Sequence, residues 1–274
     1  MRLDFNAAWH AATALIWPAI GFAALAFLMG GIASLRKARA AAGEVRINLF
    51  FFAIDILIVT PIIGVLLALT GALIAQIGSL SFLWADAPKT VTLVAALFLG
   101  DFIGYLRHRL EHSAALWPSH AIHHADTAMT WTTLLRFHPL NRVSTALIDS
   151  SALALLGFPP WALILNNLAR HYYGMFIHMD LPWTYGPFRR VFVSPAMHRW
   201  HHVRDANGAG VNFATLFSVF DQAFGTYHVP GPCDAPLGVR DDLGRGALGQ
   251  LLHPFRVAWR VTVRVFAKTS TAAT

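Results

Sequence analysis

The chain has 274 residues, of which 56% are hydrophobic and only 13% are charged. Soluble globular domains carry about 25% charged residues, so this composition excludes an ordinary soluble domain and predicts an integral membrane protein. The single cysteine, Cys233, excludes an internal disulfide and a metal cage built from cysteines. The formal net charge of +7 requires an explanation from the positions of the basic residues.

The first two apolar stretches are long enough to cross a bilayer. No charged residue occurs from 11 to 35, which exceeds the roughly 20 residues needed for a spanning helix. Basic residues follow this stretch, so we interpret it as a retained helix and not as a cleaved signal. The second stretch, 47–85, contains Asp55 as its only charge. It is too long for one straight helix, and we expect it to bend at Pro61 and Gly64.

Three shorter apolar stretches follow. Residues 90–106 predict a third membrane helix that is interrupted by Asp101. Stretches 143–157 and 161–177 are separated by two prolines, which predicts a re-entrant or tightly turned helical hairpin. The sequence therefore predicts an all-α membrane bundle with about four membrane-embedded helical elements, in a single domain over residues 1–274.

The basic residues predict the orientation of this bundle. If the cluster 36–46 is cytoplasmic, Arg2 and Lys89 are the only two of the 21 basic residues on the opposite side. The positive charge then reflects membrane topology and anionic headgroups, and no nucleic acid is expected. We expect a bacterial inner-membrane protein with a basic cytoplasmic tail, 240–274, that is amphipathic near 255–266.

Histidines are the most informative residues in the sequence. Most of the 14 fall into the boxes HRLEH, HAIHH and HRWHH. Positions i, i+3 and i+4 lie on one side of a helix, so each box is expected to present its imidazoles together. Two HxxHH patterns arise by chance on the order of once in a thousand such chains, by counting pattern matches. A cluster of pH-sensing histidines is the alternative, although it does not require a repeated spacing.

The boxes and His178 all fall on the predicted cytoplasmic side, where they form a histidine-rich cap. Nine imidazoles exceed the ligand number of one ion, which predicts two metal ions. Imidazole binds iron, copper, zinc and nickel, so the residues alone leave the metal open. Carboxylate-bridged di-iron motifs and the HExxH protease motif are absent. Glu111 is expected to point away from the histidines, into solvent.

Residues 101–227 resemble the fatty acid hydroxylase superfamily, which includes sterol C-5 desaturases and sterol C-4 methyl oxidases. The resemblance rests on DFIGYLRHRLEH, LWPSHAIHH, RFHPL, a lone histidine before VFVSPAMHRWHH, and Asn212 followed by FDQAFGTY. It implies that this region is catalytic and that its metal ligands are His108, His112, His120, His123, His124, His178, His198, His201 and His202.

The resemblance further implies an O2-dependent di-iron oxygenase that hydroxylates an unactivated C–H bond of a lipid, with desaturation as the less favoured outcome. Two iron ions are expected, and redox-inert zinc is expected to replace them in some purified samples. No heme-binding HPGG segment is present. Electrons are therefore expected from a separate ferredoxin, cytochrome b5 or reductase. A non-redox metal-binding or transport protein is the competing class, which the position of the boxes at helix ends disfavours.

Several other residues are expected near the ligands. Asp101 lies seven residues before His108 and is expected to accept a ligand N–H, with helix packing as the alternative. Asn212 and Asp221 are expected to act behind the third box. His138 matches the histidine of the HP element, as a ligand or as a partner of one. His171 remains open as a tenth ligand.

Aromatic side chains and departures from the family pattern bear on the substrate. Trp131, Phe137 and Trp161 are candidates for a lipid pocket. The departures are at Leu106, Asn141, Phe213 and Ala214. They lie outside the ligand set and leave the substrate subfamily open.

Overall fold

The computed structural model describes residues 5–204 and 210–271, so Arg2 and the last three residues of the predicted tail lie outside the described part. Within these ranges the chain is helical and has no β-strand, which confirms the predicted all-α class. The helices are α1 Phe5–Ala14, α2 Ile16–Gly30, α3 Ile32–Ala40, α4 Ala42–Ile54, α5 Thr60–Ile77, α6 Lys89–Glu111, α7 Trp117–His124, α8 Pro139–Leu155, α9 Pro160–Ile177, α10 Pro195–His201, α11 Val219–Ala223 and α12 Gly246–Thr271. Short 3-10 turns cover Ser81–Leu83, Trp131–Leu135 and Gly186–Arg190.

Three helical segments of the described chain are long and apolar enough to span a membrane: Ala12–Gly30, Ala42–Ile77 and Lys89–Glu111. The first has no buried residue in α2, and Trp17 and Leu28 are 77% and 81% exposed. Large apolar side chains on all sides of a helix are typical of contact with lipid. The chain is therefore an integral membrane protein.

The second segment is interrupted earlier than predicted. A π-helical turn, Asp55–Val59, joins α4 to α5 directly before Pro61. Proline lacks the N–H that an α-helix needs at this position, and a wider turn accommodates the missing bond. In the same turn, Asp55 forms a 2.9 Å ion pair with Arg142 of α8. The break thus places a charged group at the face of α4 and α5 that packs on α8.

Helices α8 and α9 form the predicted hairpin. Gly157 ends the first helix with φ 81°, a left-handed conformation that glycine adopts without strain. A Cβ atom at this position would lie 2.2 Å from the backbone nitrogen of Ser81. Behind the turn, Trp84 stacks on Phe158 with ring centroids 4.1 Å apart. The hairpin is therefore locked against the segment that leads into α6.

Helix α6 lies against both α8 and α9. Its close approach to α9 depends on Gly100 and Gly104, where an added Cβ would meet Asn166 and Arg170 respectively. Because glycine leaves this space, the Arg170 guanidinium lies against α6, where its Nε is 3.6 Å from Asp101, and reaches Asp149 of α8 at 2.8 Å. Helices α6 and α9 carry the first histidine box and His178 at the same end of the bundle.

A buried polar cluster ties α4 to the loop after α7. The Arg136 side chain is 1% exposed and donates to Glu44 of α4 and Gln250 of α12. Asn48 donates to Asp126 at 3.0 Å, and Thr133 donates to the same carboxylate. A buried polar group is stable only when it is hydrogen-bonded, so these contacts fix the loop that follows the second histidine box.

Candidate metal centre

The structure brings the eight box histidines and His178 together at one end of the bundle, in two groups. Within each group, the candidate ligand atoms lie within 4.8 Å of one another. The first group is His108, His112, His120, His124 and His201, and the second group is His123, His178, His198 and His202. Helices α6, α7, α9 and α10 supply them.

The HxxHH boxes divide between the two groups. His120 and His124 of α7 enter the first group while His123 enters the second. In α10 the assignment is reversed, with His198 and His202 in the second group and His201 in the first. A helix turns about 100° per residue, so i and i+4 lie close to one direction and their neighbour points to another. Each box was expected to present one cluster, and instead each short helix bridges both groups.

Backbone carbonyls fix the tautomers of several imidazoles. His108 Nδ1 donates to the Phe213 carbonyl and His201 Nδ1 donates to the Val211 carbonyl, both at 2.7 Å. His178 Nδ1 donates to the Gly174 carbonyl at 2.6 Å. A carbonyl only accepts, so the proton resides on Nδ1 of each ring. The Nε2 atoms consequently carry free lone pairs.

These lone pairs converge. The Nε2 atoms of His108 and His201 are 3.0 Å apart, although neither carries a proton to share. In the second group, His178 Nε2 lies 3.2 Å from His123 Nε2 and 3.0 Å from His198 Nε2. Nitrogens bound at about 2.1 Å to one ion are about 2.9 to 3.4 Å apart at octahedral to tetrahedral angles. The spacing fits nitrogens that share a cation.

Protonated imidazoles are a poor alternative to a metal. Burial lowers the pKa of His120 to about 3 and that of His201 to about 4. Burial and neighbouring imidazoles hold the pKa values of His124, His198 and His202 well below the ordinary range. Neutral imidazoles that face one another fit a pair of metal ions, and together with the relatives described below they indicate that the protein uses a metal such as iron.

The segment 211–217 supports the first group from behind. Asn212 has φ 59°, a left-handed conformation in which asparagine is enriched. Its amide donates to the carbonyls of Met197 and His228 and accepts from His228 N–H. Because it lies between Val211 and Phe213, it sets the direction of both carbonyls that hold imidazoles. Asp221 accepts from the amides of Phe213 and Ala214 in the same segment.

Asp101 holds the far end of this segment, and the predicted contact with an imidazole is wrong. The carboxylate is fully buried and accepts from the amides of Thr215, Leu216 and Phe217 at 3.1, 3.0 and 2.8 Å. The spacing of seven residues places it on the correct face of α6. The loop comes between it and His108, so its influence on that ligand passes through the backbone.

His138 and His171 lie outside both groups. His138 caps the N-terminus of α8, where its Nδ1 accepts from Leu140 N–H, and its Nε2 donates to the Leu251 carbonyl. Its predicted place at the metals is therefore wrong, because both nitrogens serve the backbone. His171 lines a cavity beside the two groups and contributes no donor atom to either of them.

Glu111 is buried, which contradicts its expected exposure to solvent. It is 2% exposed and pairs with Arg107 at 2.8 Å. The same carboxylate oxygen lies 3.4 Å from His120 Nδ1. The Asn141 side-chain oxygen, at one of the positions that departs from the family pattern, lies 3.2 Å from that nitrogen. Both residues thus orient a ligand imidazole.

An ion network beside Glu111 was missed in the sequence. Arg107 pairs with Asp149 of α8 at 2.8 Å, and Arg170 of α9 pairs with the same carboxylate at 2.8 Å. Asp149 and Arg170 lie inside the two apolar stretches, 143–157 and 161–177, that predict the helical hairpin. An ionisable residue in a membrane helix is usually functional, and this rule applied to α8 and α9 would have found both.

A cavity of about 520 Å³ opens beside both groups, between α5, α8 and α9. Phe137 lines it and stacks on His123 with centroids 4.2 Å apart and an interplanar angle of 10°. Trp161 lines a second cavity farther along the hairpin. Trp131 packs on Phe22 of α2.

The histidine region is similar to known lipid-modifying proteins. The fatty acid hydroxylase family matches residues 93–226. The ornithine lipid hydroxylase OlsE of Rhizobium tropici is 29% identical over 178 residues, which cover 64% of this chain and 54% of that protein. The alkylglycerol monooxygenase of Caenorhabditis elegans is 29% identical over 180 residues, which cover 65% of this chain and 34% of that protein.

The human alkylglycerol monooxygenase is 32% identical over 132 residues, which cover 47% of this chain and 29% of that protein. The chain thus spans about half or less of the length of these relatives. No solved structure matches it.

Proposed function

Since the chain belongs to the fatty acid hydroxylase superfamily, we propose that it is a membrane di-iron oxygenase that hydroxylates a C–H bond of a membrane lipid. The observation that supports this most directly is the pair of converging histidine groups, which open on one cavity between membrane helices. We propose the eight box histidines and His178 as the ligands of two iron ions.

The proposed reaction has a defined balance. One oxygen atom of O2 is inserted into the C–H bond to form a hydroxyl group. The other oxygen atom is reduced to water by two electrons and two protons from the electron donor and the solvent. Iron bound by the histidines would supply the activation of O2. We propose a separate ferredoxin, cytochrome b5 or reductase as the source of the electrons. The positive-inside pattern supports a cytoplasmic position for the histidine end, and a bacterial inner membrane is part of the proposal.

The chain's own residues orient the ligands and the substrate. The carbonyls of Val211, Phe213 and Gly174 hold Nδ1–H protons, so that each Nε2 lone pair is directed inward. Phe137 covers one face of His123 and forms an apolar wall for the carbon chain. The helices around the cavity exclude bulk water, which protects a reactive oxidant from side reactions.

The test compares two metals in the same protein. Chelator-stripped protein in lipid vesicles is reloaded with ferrous iron or with zinc, supplied with a reductant and 18O2, and its lipids are analysed by mass spectrometry. We expect one 18O atom per product lipid with iron and none with zinc, because zinc binds imidazole but is redox-inert. A product two hydrogens lighter and free of 18O would indicate desaturation. Absence of any modified lipid in the iron-loaded sample would overturn the proposal.

A further inference from the structure

The cavity at the histidines continues into a second, more apolar cavity. The second cavity has a volume of about 820 Å³ and lies at the opposite end of the hairpin, between α5, α8 and the start of α9. Both cavities are lined by Leu67, Ser150, Ile164 and Asn167. These four residues lie at the boundary that the two cavities share and form a junction between them. Ile164 is 58% exposed, so the two cavities together make one channel that is open at the junction to the surroundings of the bundle.

Helix α9 gives the length of this channel. Trp161 lines the distant cavity, and His178 lines the cavity at the metals. At 1.5 Å per residue, the 17 steps between them correspond to about 25 Å. The channel therefore extends for most of the roughly 30 Å thickness of a bilayer core. Its length suits an extended hydrocarbon chain.

The two ends of the channel differ in polarity. The metal end is lined by Arg107, Glu111, Arg142, Asp149 and Arg170. Apolar residues such as Ile74, Ala154, Phe158 and Leu163 line most of the distant end. Burial of a charged wall against a hydrocarbon tail is costly, whereas a polar headgroup would replace the hydrogen bonds that such a wall makes with water.

One acceptor at the metal end is poorly satisfied. Glu111 Oε2 accepts from Arg107, whereas the buried Oε1 has no well-formed hydrogen bond. The Ser144 hydroxyl is a further donor near this carboxylate. A buried oxygen without a well-placed donor is costly. A lipid whose polar end carries an O–H or N–H group would supply that donor beside His120.

We propose, on the basis of the function proposed above, that the lipid occupies the channel head first. Its polar end donates to Glu111 beside the metals, and its hydrocarbon tail passes the junction into the distant cavity. The carbon that is oxidised then lies in the headgroup or next to its linkage, and not in the middle or at the end of a chain. Leu67, Ser150, Ile164 and Asn167 limit which tails pass, and they determine chain selectivity.

The orientation is tested by photo-crosslinking without turnover. The probe is a phosphatidylethanolamine with a diazirine near the end of one acyl chain, incorporated into vesicles with the full-length protein. A matched probe carries the diazirine next to the headgroup. Peptide mapping should place the tail label at the distant cavity, near Phe158 or Trp161, and the head label near Phe137. The reverse pattern, or labelling at neither cavity, overturns the proposal.

A substitution at the junction sharpens the test. Ile164→Trp should lower tail labelling of the distant cavity at least tenfold, because a larger ring fills the passage. Leu165→Trp is the matched control, since Leu165 is adjacent in sequence, is exposed like Ile164 (41% against 58%) and lines neither cavity. If Ile164→Trp lowers the melting temperature, the smaller Ile164→Phe replaces it. Equal labelling in the Ile164 and Leu165 variants contradicts a channel through the junction.

The position of the added oxygen completes the experiment. Fragmentation of the 18O-labelled product should place the oxygen in the headgroup or beside the linkage. An oxygen at mid-chain or at the chain terminus overturns the head-first orientation, even though the protein is then a lipid hydroxylase. The predicted crosslinks without any oxygenated product would instead overturn the proposed function and leave the orientation intact.

Discussion

The two histidine groups differ in the hydrogen bonds that the Nδ1 atoms of their imidazoles make. In the first group, His108 and His201 donate to a loop far along the chain, at Phe213 and Val211. In the second group, His178 donates within its own helix to Gly174. The Nδ1 atoms of His198 and His202 have no hydrogen-bond partner among the described residues. The first group therefore depends on a distant loop, and the second depends on the packing of helices.

This difference predicts which substitutions act on one group alone. The loop 211–217 is clamped by Asp101 and Asp221, and the imidazoles that donate to its carbonyls, His108 and His201, belong to the first group. Changes in the clamp should lower occupancy of the first group and leave the second nearly unchanged. Loss of a ligand should remove the ion of its own group directly.

The largest effect is expected from the ligands. His124→Ala and His202→Ala each remove one imidazole, from the first and the second group respectively. We expect activity to fall by at least about 100-fold in both, because loss of a ligand exceeds the 10- to 100-fold effects of outer partners. Iron analysis of each purified variant, next to its activity, is the measurement.

His10→Ala is the matched control, since His10 lies on α1 and belongs to neither group. It should retain both ions and full activity. Full iron content in either ligand variant would remove that histidine from the proposed set.

A smaller and selective effect is expected at Asp101. Asp101→Asn removes the negative charge and one of the two oxygens that accept from three amides. We expect iron affinity of the first group to fall about 10-fold, with the second group less affected. Metal titration of the stripped variant should then show two binding steps of different affinity, whereas the two affinities of the wild type should be closer to each other. An equal loss at both steps would mean that the loop serves both groups.

Two substitutions of Asn212 distinguish the contribution of its backbone conformation from that of its side-chain hydrogen bonds. Asn212→Gly retains the left-handed φ but loses the three hydrogen bonds of the amide. Asn212→Ala loses the hydrogen bonds and adds backbone strain of about 1 kcal/mol or more. Both variants should weaken the first group, and the alanine should also lower the melting temperature further. If glycine restores wild-type iron affinity, the side-chain contacts have no role in holding the carbonyls.

The smallest effect concerns protons. An imidazole with an ordinary pKa near 6.5 is about a quarter protonated at pH 7, so nine of them would release about two protons when metal binds. The pKa values of His120 and His201 are lowered by burial to about 3 and about 4, so both are already neutral at pH 7. Zinc titration calorimetry of the folded, stripped protein in buffers of different ionisation enthalpy should give nearly equal heats at pH 7.

Metal uptake should weaken only as the pH falls toward these lowered values. A release of two or more protons at pH 7 would contradict neutral imidazoles in the metal-free fold.

The sequence predicted which histidines meet, but not how they divide. The spacing HxxHH predicts that the rings share a side of a helix. It does not predict the hydrogen bonds from His108 and His201 to the loop 211–217, because this loop lies at a distance along the chain. Asp101 has the predicted position on α6, yet its partners lie more than 100 residues away. Glu111 was misplaced because its burial depends on Arg107 and Asp149, and the latter is on another helix. Local spacing fixes a face, whereas long-range packing decides what that face contacts.

The division of α7 and α10 between the groups has a consequence for biogenesis. The first group spans His108 to His201, and the second spans His123 to His202. Both lack a member until α10 has been synthesised, which follows the synthesis of the three long apolar segments and of α9. Ribosomal synthesis therefore completes the two histidine groups within one residue of each other, and neither group has its full set of imidazoles before these helices have been made.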